Sequence, residues 1–285
     1  MLITLFNLAN KENILKNKVF IICILTGLIL LGCDQNSKRK GDHAAPVDTA
    51  QQEKAAKQAI IDDLTAKAQQ VETELNTHND TAWDEAGEAY DISGANQLFD
   101  TIEYDNAQGQ KTKYNVNNDE SKAARREMYL AFAYEKDYIK TFGALANKMT
   151  AQAAPPEMKG ILEKIVDKMR KYAKDSYLTA FNTLTSKKDK LMELTLSDLK
   201  ILKTKFHILL ASKTNLKSAA DVIKEDYDND IEIGTVSPNK NKIKTTATAE
   251  EIKQYLEDKK NSFIPDLNAV KKEVPEIITI LNKIQ

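Results

Sequence analysis

The sequence predicts an all-α protein, on three observations. Nine Gly and six Pro in 285 residues are too few for a many-turned sandwich or propeller. Charged residues make up 29% of the chain, which suits long helices with solvated faces. Apolar residues recur at three- and four-residue spacing over most of the length, the period of a helix stripe buried on one side. The expected architecture is a bundle of about five to seven helices, occupying residues 51–285 as a single domain behind a disordered N-terminal tether.

The N-terminal segment is read as a lipoprotein signal peptide over residues 1–32. Lys11, Lys16 and Lys18 supply a positive region, followed by an apolar stretch over residues 19–31. At ~1.5 Å per residue that stretch covers about 20 Å, short of the ~30 Å hydrocarbon core a spanning helix must cross. It ends in Leu30, Leu31, Gly32 and Cys33, followed at once by polar residues. A small residue before a cysteine after two aliphatics is a bacterial lipobox, and the Cys33 thiol is the atom expected to take the diacylglycerol. Two or more acyl chains, at ~0.8 kcal/mol per buried methylene, hold a protein stably on a bilayer. Residues 33–50, with Val47 their one aliphatic side chain beyond alanine, cannot offset ordering entropy and read as a flexible tether.

The helices follow in order. Ile60, Ile61, Leu64, Ala68, Val71 and Leu75 make one stripe over residues 49–77. Residues 79–117 read as a long loop with one short helix near 94–102. Asp119 is expected to cap a second helix running through Met149, with Met128, Phe132, Ile139, Phe142 and Leu145 on its apolar face. Pro155 and Pro156 open a third, because proline in the first turn forfeits no hydrogen bond. Thr195 opens a fourth through Leu210, and a fifth runs through Leu216, Ile223 and Tyr227. Thr248 and Glu251 match a capping box for a sixth. Pro265 starts the last, which Pro275 is expected to kink.

Sites for chemistry are sparse. With 41 basic and 42 acidic residues the chain has no basic field for nucleic acid. Cys23 and Cys33 cannot build a thiolate zinc site, and no two of His43, His78 and His207 share a helical spacing for metal. No nucleophile elbow, phosphate-binding glycine loop or dinucleotide turn is present, so neither an enzyme nor a resident cofactor or metal is expected. The acidic run Glu225, Asp226, Asp228, Asp230 and Glu232 fails as a calcium loop. Counting from Asp226, Ile231 stands where glycine is needed and Ser237 where a bidentate glutamate is needed. Glu163 and Asp167, among lysines, read as surface ion pairs, and Lys240, Lys242 and Lys244 as a solvated turn. On the last helix, Ile280 is read as lying over a quarter-turn away from Ile277 and is the candidate for an outer, interacting face, either toward a second subunit or toward a ligand. Monomer and homodimer are both open.

Three further stretches carry a resemblance: REMYLAFAY at 126–134 leading to Ile139 and Phe142, LSDLKIL at 196–202, and IITILNKI at 277–284. With the lipobox, tether and Lys/Asn/Ile-rich helices, they make the chain resemble the Borrelia outer-surface lipoproteins of the paralogous family that includes the factor H-binding protein CspA. The resemblance covers about residues 118–285. It implies an α-helical protein anchored at Cys33 in the bacterial outer membrane and exposed outside. It also implies host partners, such as complement components or regulators, plasminogen or matrix, engaged in immune evasion or adhesion. The alternative is an anchored envelope protein that serves a structural role or binds another bacterial component. Ligand choice diverges among paralogues of one fold, so the resemblance transfers no binding residue.

Overall fold

The computed structural model describes residues 49–151, 154–234 and 240–284, and these are helical with two short hairpins. The signal peptide and nearly all of the tether, with Cys23, Cys33 and His43, lie outside the described residues. The tether boundary shifts slightly, because helix α1, Thr49–Gln69, already includes Thr49 and Ala50.

The first stripe is found, but on two helices. After α1 the chain turns at Gln70 and Val71, and α2 spans Glu72–Asn79. Ile60, Leu64, Val71 and Leu75 are all buried across the break. The carbonyl of Gln70, freed at the helix end, accepts a 3.1 Å bond from Lys213 Nζ. Residues 49–59 contribute no fully buried side chain, so α1 begins as an exposed spur.

The expected loop carries more structure than its pattern shows. A 3-10 turn at Glu85–Glu88 and a one-turn helix α3, Leu98–Thr101, precede strands β1, Glu103–Asp105, and β2, Lys111–Lys113, paired antiparallel with Tyr104 opposite Thr112. Asn106 closes the hairpin, its Oδ1 accepting from the backbone N–H of Gln108 and Gln110, and Gly109 takes a φ of 73° there.

The expected second helix is also two. Asn118, not Asp119, is its cap, accepting from Ser121 N at 2.7 Å, and α4 runs over Asp119–Ala131. Ala133 and Tyr134 then adopt left-handed φ values of 54° and 58° before α5, Lys136–Met149. Neither is glycine or asparagine, so nothing local announces the break. In α5, Gly143 is required, because a Cβ there would lie 2.2 Å from Ile92 Cγ2.

The third helix starts as expected. α6, Glu157–Ala173, continues through a π-helical stretch, Lys174–Phe181, into α7, Asn182–Lys187. After a 3-10 segment, Lys188–Glu193, Thr195 caps α8 through a bond from Asp198 N. The expected fourth and fifth helices are one, α8, Leu196–Asp228. No Gly or Pro interrupts it; its apolar period lapses near residues 212–218 because the helix leaves one core and enters another. Strands β3, Glu232–Ile233, and β4, Asn241–Lys242, pair next, followed by α9, Ala249–Lys260, with the Thr248–Glu251 capping box in place. The last helix, α10, Ile264–Leu281, runs through Pro275. Pro275 is exposed, so the carbonyl it leaves unbonded one turn earlier faces water.

Two apolar cores result within the unit from Asp48 to Gln285. One collects α1, α2, the π-helical stretch, the first half of α8 and α10, around Phe181, Phe206, Leu202 and Ile277. The other collects the 90–114 region, α4, α5, the first half of α6, the second hairpin and α9, around Phe99, Met128, Tyr129 and Ile252.

Candidate functional site

Ile280 does not offer an outer face. It is 4% exposed and belongs to the first core, because α10 is packed by α8 on one side and by the π-helical stretch on the other. The expected angle was wrong as well as the available surface: three residues at ~100° each bring Ile280 back to within ~60° of Ile277, less than a quarter-turn, and both side chains lie on the buried face. Ile278 is the only partly exposed aliphatic among the four isoleucines of that run.

The acidic run is spent on local structure. Asp226 accepts from Tyr255 Oη at 2.8 Å and pairs with Lys259 at 2.7 Å. Asp228 pairs with Lys224, and Asp230 accepts from Lys244 N and Thr245 Oγ1 of the second hairpin. Lys244 also lies over the Tyr227 ring, at 5.3 Å from its centroid. Glu163 accepts the Glu103 backbone N–H at 3.0 Å, and Lys159 binds Glu103 at 2.6 Å, tying β1 to α6. His207 is exposed on α8.

What composition did not reveal is the role of arginine. Only four of the 41 basic residues are Arg, and the three described ones lie on α4 and α6 around a cluster of aromatic rings. Arg125, 4% exposed, forks onto Glu85 and donates to the carbonyls of Tyr114 and Val116. Arg126 gathers the carbonyls of Thr77, His78 and Asp80 at the end of α2, and its guanidinium lies 4.9 Å from the Trp83 ring centroid. Arg170 donates to Glu127 at 2.7 Å and to Tyr114 Oη at 3.0 Å while stacking over Tyr104 and Tyr114. Planar guanidinium forks suit this combination of carbonyl, carboxylate and ring, which a lysine point charge does not match. Trp83, Tyr90, Tyr129 and Tyr134 pack between them at centroid separations of 4.8–6.5 Å. Burial, then the Glu85 charge, raises the Tyr129 phenol far above its usual range, so it donates to Glu85 as a neutral hydroxyl.

Two shallow grooves open on the surface. One, of about 410 Å³, runs along α5 between Tyr90 and Asp91 on one side and Lys224, Tyr227 and Asp228 on the other, over Thr141 and Ala144. The other, of about 250 Å³, lies where α2 ends and α4 begins, lined by His78, Asp80, Asp119, Lys122 and Arg126. Both are lined by side chains of mixed charge. Among the described residues the large hydrophobic side chains that stand well into solvent are Val116, Ile201 and Val222, on different elements or turns, so no continuous apolar patch forms.

Comparison with known proteins places this geometry. A family model described as Borrelia Bbcrasp-1 domain containing protein matches residues 80–282. No curated protein matches the sequence. Among solved structures, BSE31 of Borrelia (Borreliella) spielmanii superposes with a TM-score of 0.56 at 19% identity, over 79% of this chain and 99% of that one. The outer surface protein BBA66 of Borrelia burgdorferi gives 0.54 at 12% identity, over 80% and 99%. The Lyme disease associated outer surface protein BBA65 of the same organism gives 0.53 at 16% identity, over 82% and 100%. At these identities the structures establish a shared helical fold. The family match begins just after α2 and runs nearly to the end of the chain without singling out one member, and on that match the chain belongs to the Borrelia Bbcrasp-1 domain family.

Proposed function

We propose that this protein is an outer-surface lipoprotein, held in the bacterial outer membrane by acyl chains on Cys33, whose helical domain binds host proteins in immune evasion or adhesion. The observation that carries the reading is the conjunction of the Leu30 to Cys33 lipobox with a domain of this Borrelia family, whose solved structural neighbours include named outer surface proteins. Shallow grooves lined by side chains of both charges are consistent with a wet protein–protein contact. The ligand class is a complement component or regulator, plasminogen, or a matrix protein.

Immobilising the mature chain, passing host serum over it and identifying what elutes tests the reading. Selective retention of one such serum protein supports it. Retention of bacterial envelope proteins from a membrane extract, with nothing from serum, replaces it with a structural envelope role. The anchor is checked separately by radioactive palmitate, which labels the wild type and not Cys33→Ala; label in Cys33→Ala refutes lipidation at that thiol.

A further inference from the structure

The joint between α2 and α4 contains a titratable group in a mechanically central position. His78 occupies the last turn of α2, partly buried, with Nδ1 3.0 Å from Tyr134 Oη. Tyr134 Oη donates onward to the Arg126 carbonyl at 3.3 Å, and the Arg126 guanidinium donates to the His78 carbonyl at 2.6 Å. Three residues thus close a ring of bonds between the two helices. Trp83 packs on this ring, edge-on to Tyr134 at 5.2 Å and beneath Arg126. Tyr134 is held there by the left-handed backbone at Ala133 and Tyr134, a conformation that these residues keep only while the contacts hold them.

We propose that His78 is an acid-sensitive latch: neutral, it holds the end of α2 and Trp83 against α4, and protonated, it lets them go. A proton on His78 places a second cation beside the Arg126 guanidinium in a partly desolvated site. Burial, and then Arg126, hold the imidazole below its ordinary value of 6.5, against smaller opposing contributions from Glu127 and a backbone bond. The other charges facing the joint do not cancel this. Glu85 is committed to Arg125 and Tyr129, Glu127 to Arg170 and Lys174, Glu74 to Lys213, and Glu135 to Lys217. Asp80 and Asp119 line the adjoining groove together with Lys122, so an imidazolium that swings outward meets carboxylates and water. The groove is the path for the proton and the resting place of the released ring.

The sign follows from linkage. The closed joint prefers neutral His78 and the open joint titrates near 6.5, so closure is complete above that value and weakens as pH falls below it. Each pH unit below it raises the open-to-closed ratio up to tenfold, until His78 titrates in the closed joint as well.

Trp83 is the sole tryptophan, so the protein's tryptophan fluorescence arises at this joint. The test is acrylamide quenching of the full chain in detergent between pH 7.5 and 5. We expect quenching to rise on acidification with a one-proton midpoint below 6.5, to stay flat in His78→Gln, and to follow the wild type in His207→Gln. Flat quenching in the wild type, or an unchanged rise in His78→Gln, overturns the proposal. If His78→Gln lacks wild-type helical content at pH 7.5, the wild type labelled with ¹³C-histidine decides by NMR. A His78 midpoint below 6.5, coincident with the change in quenching, upholds the latch, and a midpoint at or above 6.5 rejects it.

Discussion

At the scale of single residues, arginine carries more of this fold than its abundance suggests. Arg125 joins Glu85, 40 positions away, to the carbonyls that follow β2, a combination that only a fork with several fixed donors satisfies. Arg125→Lys, keeping the charge and losing the fork, is expected to cost about 2–4 kcal/mol in urea denaturation, whereas Lys171→Arg on the exposed face of α6 should change nothing measurable. Equal midpoints for wild type and Arg125→Lys would refute the role. The scarcity of arginine is plain in the sequence, but its meaning is not, because the partners are backbone carbonyls and a carboxylate brought together only by folding. Ile280 gives the converse lesson. At ~100° per residue three positions bring it back to within ~60° of Ile277, so the period already favours a shared buried face, and the neighbours on both sides of the helix, a tertiary fact, complete the burial. Because both are buried, Ile280→Asp, like Leu281→Asp, should abolish cooperative melting, at a cost of about 4 kcal/mol or more. A circular dichroism melt matching the wild type would contradict that burial.

At the scale of elements, helix starts were legible and helix breaks were not. Thr195 and Thr248 announce α8 and α9 by side-chain capping, a local signal. The turn at Val71 and the left-handed pair at Ala133 and Tyr134 are imposed by contacts from elsewhere, and α8 looked like two helices only because its polar middle separates a buried first half from a partly buried end. The anchoring of α10 shows the same dependence on tertiary structure. Lys205, on α8, reaches Glu273 at 2.5 Å and Glu276 at 2.6 Å, Lys187 donates to the carbonyls of Leu281 and Ile284, and Lys283 pairs with Asp198. Burial alone would lower the Lys205 ammonium, but the bonds to Glu273 and Glu276 outweigh it and hold the group above its usual range. Lys205→Ala strands Glu273, 7% exposed, and should cost about 3–5 kcal/mol, while Lys205→Met with Glu273→Leu should recover most of it. The Lys205 bond, chiefly, lowers Glu273 below its ordinary 4.5. Its contribution is therefore whole above 4.5 and is lost as pH falls through the lower folded value, so acid melts of Glu273→Gln should show a shallower fall than wild type in that window.

At the scale of the whole molecule, the all-α class and the order of helices follow from periodicity and composition, but the division into two cores does not. It depends on which stripes face which, and the continuous rods α6–α7 and α8 that cross from one core to the other couple them. Phe206, fully buried in the first core, is expected to cost about 3–5 kcal/mol on truncation to Ala. Trp83 reports the second core. Coupling predicts that Phe206→Ala shifts the Trp83 fluorescence transition by as much as the circular dichroism transition; a fluorescence transition left in place would show two independently unfolding parts. The proposed function requires three properties of one chain: an anchor at Cys33, display outside the cell, and a domain that captures host protein. Exposing intact cells to host serum and measuring the host protein retained tests all three together. The account predicts retention on cells carrying the wild-type chain, loss after brief surface proteolysis, and loss with Cys33→Ala; equal retention on cells lacking the chain altogether would contradict it.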